Sequence, residues 1–266
     1  MKLAVIIPAA GASRRFGDRS KIDEDLGGRP VLQRTVELFN SRDEVAVVIV
    51  AGPAASWEEF KLRHGDRLGL VGVQICKGGA EHRYESVRNA IRHLDEADTC
   101  APFRDCTHIA VHDAARPATP QDLIDRVVSA AEKHGAVIPG VAVPDTIKRV
   151  GPATADKSVD PLDAILGGGG KPGATVRPVE ETVSREGLMM VQTPQVFRAD
   201  LLRRAYAQAN LDSTDDAQLV ERLGEPVIVV EGDPRNLKIT RPPDVELCRR
   251  ILNLRGPVER ETHKRF

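Results

Sequence analysis

The chain has few aromatic residues: one Trp, two Tyr and six Phe in 266 positions. That scarcity argues against the stacking platforms on which single-stranded nucleic acid lies. It also lacks an excess of charge. There are 38 Lys and Arg against 39 Asp and Glu, a net charge of −1, so no basic field draws in nucleic acid. No apolar run reaches membrane-spanning length, and no membrane partner is expected. The N-terminus has no signal-peptide pattern, which makes a cytoplasmic location the expectation. The four cysteines, Cys76, Cys100, Cys106 and Cys248, form no C-x-x-C pair. They suggest neither a zinc site nor a redox dithiol, and free buried thiols are expected. Two familiar phosphate loops are missing as well. There is no G-x-x-x-x-G-K-[ST], and position 13, where G-x-G-x-x-G needs its second glycine, is Ser13.

What the chain does have begins with an apolar run at 3–7, which reads as a buried parallel strand. Pro8 and the small residues Ala9, Ala10 and Gly11 follow, then Arg14, Arg15 and Lys21. Small residues let another group approach the backbone, whose N–H groups can then point at an anion. The stretch reads either as a polyphosphate site at the end of a first strand or as an ordinary strand-to-helix turn with solvated arginines.

Further strands are expected at 45–50, 71–76, 108–112, 136–150, 188–191 and 227–231. Between them the apolar spacing predicts helices from Pro30, at 84–94, from Thr119-Pro120 to Lys133, at 200–209, at 214–223 and at 242–254. Ser56 with Glu59 has the spacing of a capping box. This alternation predicts an α/β protein, Rossmann-like, with a mostly parallel sheet covered by helices on both faces. One domain over 1–255 is expected. An arm at 151–183, carrying four consecutive glycines at 167–170, interrupts it, and a polar tail at 256–266 is expected to fray.

Chemistry-bearing residues recur at successive strand ends. The fourth strand closes on V-H-D-A-A-R-P at 111–117, which puts Asp113 at the sheet's carboxyl edge. Asp113 reads either as a helix cap or as a magnesium ligand, since hard cations take carboxylate and phosphate oxygens together. Arg116 would face a nearby anion. His112 reads as a packed strand histidine, because no nucleophile stands beside it. Asp145-Thr146, Q-T-P-Q at 192–195 and Lys238 follow later strands.

Taken together, these pieces resemble the 2-C-methyl-D-erythritol 4-phosphate cytidylyltransferase family. The resemblance rests on A-A-G at 9–11, Arg15, Lys21, G-R-P at 28–30, Gly78-Gly79 and Arg83 with Ser86-Val87. It continues through V-H-D-A-A-R-P, Asp145-Thr146, Arg185, Q-T-P-Q, T-D-D at 214–216, and Lys238 with Thr240 and Pro242. They occur in the family's order over nearly the whole chain to about Leu252.

The resemblance implies a cytidylyl transfer from CTP to the polyol phosphate of isoprenoid biosynthesis, with magnesium, releasing pyrophosphate. A ribitol 5-phosphate cytidylyltransferase and a non-catalytic nucleotide-binding homologue are the alternatives. By the same resemblance, Arg15 and Lys21 lie along the triphosphate, and Ala9, Ala10, Gly11, Ala12, Gly79 and Ser86 hold the nucleoside end. Asp113 touches ribose or metal. Arg116, Thr146, Thr193 and Lys238 surround the incoming phosphate. Arg185, on the arm, reaches the substrate of the other subunit in a homodimer. Arg15, Lys21, Arg185 and Lys238 are the catalytic set. The chain departs from the family after Lys21, where Ile22-Asp-Glu-Asp25 replaces the usual glutamine and aromatic and puts three acids beside the triphosphate loop. The segment from Gly79 to Arg83 is also one residue longer than usual, and the arm is longer than typical.

Overall fold

The computed structural model describes residues 1–11, 16, 20–155 and 175–254. Arg15, Ala12, the four-glycine tip and the 256–266 tail lie outside the described residues. Two compact units are present, one formed by 1–141 with 191–266 and the other by Ala142–Met190.

In the first unit, β1 (Leu3–Pro8) leads to α1 (Val31–Asn40), β2 (Val45–Gly52), α2 (Trp57–Phe60), a π-helical turn at Lys61–Gly65 and α3 (Asp66–Leu70). The chain continues through β3 (Gln74–Lys77), α4 (Arg83–Glu96), a 3-10 turn, β4 (His108–Val111), α5 (Gln121–Ala131) and β5 (Ala136–Ala142). The second unit contains β6 (Ile147–Val150), β7 (Thr154–Ala155), β8 (Thr175–Val176) and β9 (Val179–Val183). The chain returns to the first unit at Val191, through β10 (Met189–Val191). It then forms β11 (Gln195–Arg198), α6 (Ala199–Tyr206), α7 (Ala217–Glu221), β12 (Ile228–Glu231) and α8 (Pro242–Ile251).

The central sheet runs β5-β11-β4-β1-β2-β3, with β12 also beside β5. The β1–β2, β1–β4, β2–β3 and β5–β12 pairs are parallel, while β11 is antiparallel to both neighbours. β1 shows why both faces are covered. Successive side chains of a strand point to opposite faces. Ala4 and Ile6 pack with Val87, Ile91 and Leu94 of α4, whereas Leu3, Val5 and Ile7 pack with Leu32, Val36 and Phe39 of α1 and Leu123 of α5. Each fully buried leucine or isoleucine contributes roughly 1.5–3 kcal/mol. A third cluster joins Leu26, Val31, Ala115, Ile239 and Cys248 under α8. All four cysteines are free and buried, as expected.

Some local expectations fail for identifiable reasons. Ser56 precedes α2 but makes no side-chain cap bond. Thr119 does not cap α5. Its hydroxyl donates to Asn236 Oδ1 at 2.8 Å instead, with the Arg116 carbonyl also within 3.0 Å. β11 was not expected: it starts at the last residue of the Q-T-P-Q signature and spans only four residues, too short to show a strand period. The 151–183 stretch, where no strand was expected, contains β9, which pairs with β6 and is backed by Arg149 to Glu181 at 2.6 Å.

Candidate active site

Four strands of the first unit end at one cleft of about 770 Å³. β1 delivers Ala9, Ala10 and Gly11. The segment after β3 delivers Gly79, Arg83 and Ser86, β4 delivers Asp113, and the loop after β12 delivers Lys238. Lys21 and Ile22 complete the lining from the segment before α1. This is the carboxyl edge of the parallel strands, where open α/β sheets bind ligands.

Backbone closeness shapes the part of the cleft lined by Ala10, Gly79 and Ser86. The Gly78 N–H donates to the Gly52 carbonyl at 2.7 Å, and the Gly79 N–H donates to Ser86 Oγ at 2.9 Å. A Cβ on Gly78 would lie 2.8 Å from Ala10 Cβ, the Gly52 carbonyl and Ser86 Oγ at once. Gly78→Ala should therefore push the A-A-G turn and the β3 loop apart. An apparent melting temperature lowered by several degrees is expected, and an unchanged one would refute the crowding.

The charged side of the cleft is built around Asp113, which is 8% exposed. Lys238 Nζ lies 3.0 Å from Asp113 Oδ2, and Arg116 Nε donates to the same oxygen at 3.1 Å. Arg83 Nε lies 3.4 Å from Oδ1. Burial alone would raise the Asp113 pKa. Arg83, Lys238 and Arg116 outweigh it and hold the carboxyl far below the usual carboxylate range. Three cations thus share one carboxylate, so the wall stays attractive to a further anion. Behind it, Arg83 donates to Asp216 Oδ2 at 2.7 Å, and the Tyr206 hydroxyl donates to Asp216 Oδ1 at 2.5 Å. Burial would lower the Arg83 pKa, but Asp216 and Asp113 raise it, and the guanidinium stays charged.

Not every expected residue presents a free side chain. Arg116 does not line the cleft. It is 8% exposed, and its second nitrogen donates to the Asn236 carbonyl at 2.7 Å, which ties the Lys238 loop to β4. Thr193 is also buried. Its Oγ1 accepts the Asp113 N–H at 3.0 Å and lies 3.2 Å from His112 Nδ1. The outer glutamines of Q-T-P-Q are struts. Gln192 exchanges bonds with the Asp233 backbone at 2.9 and 3.1 Å, and Gln195 holds Asp215 at 2.8 Å. Thr146 and Arg185 belong to the second unit, where both are exposed and Arg185 donates to the Pro144 carbonyl.

Alternation after β12 points Leu237 and Ile239 inward and Lys238 outward toward the cleft, and Lys238 does line it. Ile239 is indeed fully buried, and Lys238 is ion-paired to Asp113. The site reading omitted Arg83 and Asp216. T-D-D at 214–216 read as a helix start, and Asp216 makes no cap bond, because its carboxylate points to Arg83 and Tyr206. Nothing in local spacing links positions 133 residues apart.

His112 is packed, as its strand position implied. It is fully buried, edge-on to Phe39 at 4.9 Å, and lies 3.2 Å from the Arg116 carbonyl through Nε2. A carbonyl can only accept, so Nε2 carries the proton and Nδ1 is left to accept from Thr193. Burial, partly countered by that carbonyl, pushes the His112 pKa down from 6.5 to about 4. The unfolded chain therefore binds a proton that the folded chain refuses between these values. Stability present above pH 6.5 should fall as pH drops toward 4. Urea titrations across that range check this, and a flat profile would contradict it. Burial also lowers His93 and His108, which adds to the same slope.

The sheet and its cationic, glycine-edged cleft define an α/β nucleotidyltransferase. The model of the 2-C-methyl-D-erythritol 4-phosphate cytidylyltransferase family matches residues 3–160 and 171–254, and the chain belongs to that family. A protein of that name from Frankia casuarinae is 40% identical over 261 residues, covering 97% of this chain and 84% of that protein. One from Rhodococcus jostii is 40% identical, covering 94% and 95%. The crystal structure of the Thermus thermophilus member superposes with a TM-score of 0.68 at 31% identity, over 96% of this chain and all of that one.

Proposed function

We propose that the cleft binds CTP and 2-C-methyl-D-erythritol 4-phosphate and transfers the cytidylyl group to that phosphate, releasing pyrophosphate. The observation that carries this reading is the Asp113-centred wall of Arg83, Arg116 and Lys238 on a chain of this family. The reaction brings two anions together, so fixed cations that need no rearrangement lower the barrier. The phosphate monoester is mostly doubly ionised at pH 7, since its second pKa is about 6. Its oxygen can attack without a general base. His112, neutral and engaged through both nitrogens, fits that absence of a base. Lys238 and Arg83 stabilise charge as it shifts between the α-phosphate and the leaving pyrophosphate. Lys21, which also lines the cleft, contributes a further cation. Catalysis is positioning with electrostatic stabilisation.

Magnesium is expected of this chemistry, yet the donor set forms no cage for it. Asp113 is the one carboxylate at the centre of the wall, three cations already face it, and no metal-binding acidic, histidine or cysteine cluster occurs among the described residues. A direct Asp113–magnesium bond would have to displace a cation. Magnesium accordingly fits as a companion of the triphosphate, supplying charge neutralisation there, since this ion favours phosphate and water oxygens.

A homodimer through the second unit is also proposed. Val179 (60% exposed), Met189 (43%) and Met190 (46%) leave apolar strand surface open there, and a symmetric partner would cover it. The family roles of Thr146 and Arg185 in polyol phosphate binding, and a cytoplasmic location, belong to the same proposal. No helix among the described residues is long and apolar enough to cross a membrane.

The test is pyrophosphate release from CTP, crossed against 2-C-methyl-D-erythritol 4-phosphate and ribitol 5-phosphate, with and without chelator. Turnover with the first substrate alone, abolished by chelator, is expected. Equal rates with ATP in place of CTP would remove the assignment.

A further inference from the structure

We propose that Asp23 is a positioning residue: clamped by His64 and Arg63, it holds the segment that carries Lys21 into the nucleotide cleft. This inference rests on the proposed function and deepens it. The three acids after Lys21 would be expected to repel a triphosphate, but the geometry assigns the first of them another task. Ile22 lines both the nucleotide cleft and a neighbouring cavity of about 720 Å³, while Lys21 lines only the former and Asp23 only the latter. The segment thus separates the two cavities, with Lys21 lining one and Asp23 the other.

That carboxylate is gripped. His64 Nε2 lies 2.7 Å from Asp23 Oδ1, and Arg63 NH1 donates to Oδ2. Burial by itself would raise the Asp23 pKa. The bonds to His64 and Arg63 overcome it and keep the group ionised. An ionised carboxylate only accepts, so the His64 nitrogen carries the proton. His64 is 5% exposed, with its ring 5.0 Å from Phe60. Arg63 is braced by Glu59 at 2.8 Å.

Two consecutive residues reach one carboxylate because they lie in the π-helical turn Lys61–Gly65, a local widening of the helix between α2 and α3. The backbone of this segment is tied separately to α1. The Leu32 N–H donates to the Ile22 carbonyl and the Val31 N–H to the Glu24 carbonyl, both at 3.0 Å. Asp25 is occupied as well, accepting the N–H of Gly28, whose φ of +83° closes the turn before α1.

A double-mutant cycle tests the clamp: wild type, Asp23→Ala, Lys21→Ala and both together. It is read once by CTP turnover and once by binding of inorganic tripolyphosphate. Asp23→Ala should raise the KM for CTP and the Kd for tripolyphosphate by about tenfold, and leave the KM for the polyol phosphate unchanged. In the Lys21→Ala background it should add nothing. Asp23→Asn, which can still accept the His64 N–H, should recover part of the loss. Tighter tripolyphosphate binding by Asp23→Ala would show that the acid merely repels, and would overturn the proposal. An undiminished penalty without Lys21 would overturn it too, by showing a purely structural role. If wild type binds tripolyphosphate but does not turn over CTP, the proposed function fails and the clamp is decided by the binding cycle alone. If wild type binds neither, both fail.

Discussion

Asp113→Asn is expected to damage both folding and turnover. The substitution keeps the shape but removes the charge that Arg83, Arg116 and Lys238 share within 3.4 Å. Breaking a buried ion cluster in this way leaves uncompensated cations and costs about 3–5 kcal/mol. A strand-end position by itself would suggest a residue whose substitution touches turnover more than the fold. The structure places it at 8% exposure, so both are at stake. Turnover should fall by at least about 10²-fold, because Lys238 and Arg83 lose the group that aims them. Urea unfolding of both proteins checks the first figure, and a stability loss below about 1 kcal/mol, the worth of a surface pair, would show that the cluster is not coupled. The pH dependence has a defined sign. The folded pKa of Asp113 lies far below its ordinary 3.8, so its stabilisation is present above that value and lost as pH falls through the folded one. The gap between wild type and Asp113→Asn should therefore be widest near neutral pH and narrow below pH 3.8.

Lys238→Ala should separate the two effects. Lys238 is 38% exposed in its side chain, and Asp113 keeps Arg83 and Arg116 when it goes. The stability cost should stay at about 1 kcal/mol or less. The catalytic cost should be far larger, about 10²–10³-fold in turnover, the usual loss on removing one fixed stabiliser of shifting charge. Lys238→Arg should restore only part, since a planar fork cannot take the place of a compact ammonium 3.0 Å from Oδ2. Steady-state kinetics beside thermal melts decide this. A large fall in melting temperature with normal turnover per folded molecule would make Lys238 a structural residue.

Much of this protein can be read along the chain because the relevant signals are local. The 3–7 apolar run announces β1, and its alternation already divides the two cores that α4 and α1 cover. The small residues at 9–11 announce close approach to the backbone, and Gly78 does crowd Ala10 there, since a Cβ on it would lie 2.8 Å from Ala10 Cβ. Strand-end placement also pointed to Asp113 and Lys238 as cleft residues, since a sheet's carboxyl edge is one place.

Pairing between distant side chains could not be read this way. Whether Arg116 faces a ligand or braces a loop depends on Asn236, 120 residues away. Whether Asp216 caps a helix or backs Arg83 depends on a contact across 133 residues. The acid at position 23 is the sharpest case. Beside Lys21 in sequence it looks like a liability for a triphosphate, yet a π-helical turn 41 residues on supplies the histidine that turns it away from the cleft. Period and composition report what each residue's own neighbours in the chain impose. A charge's partner is set by which elements pack together, and the chemistry of this cleft lies in those partnerships.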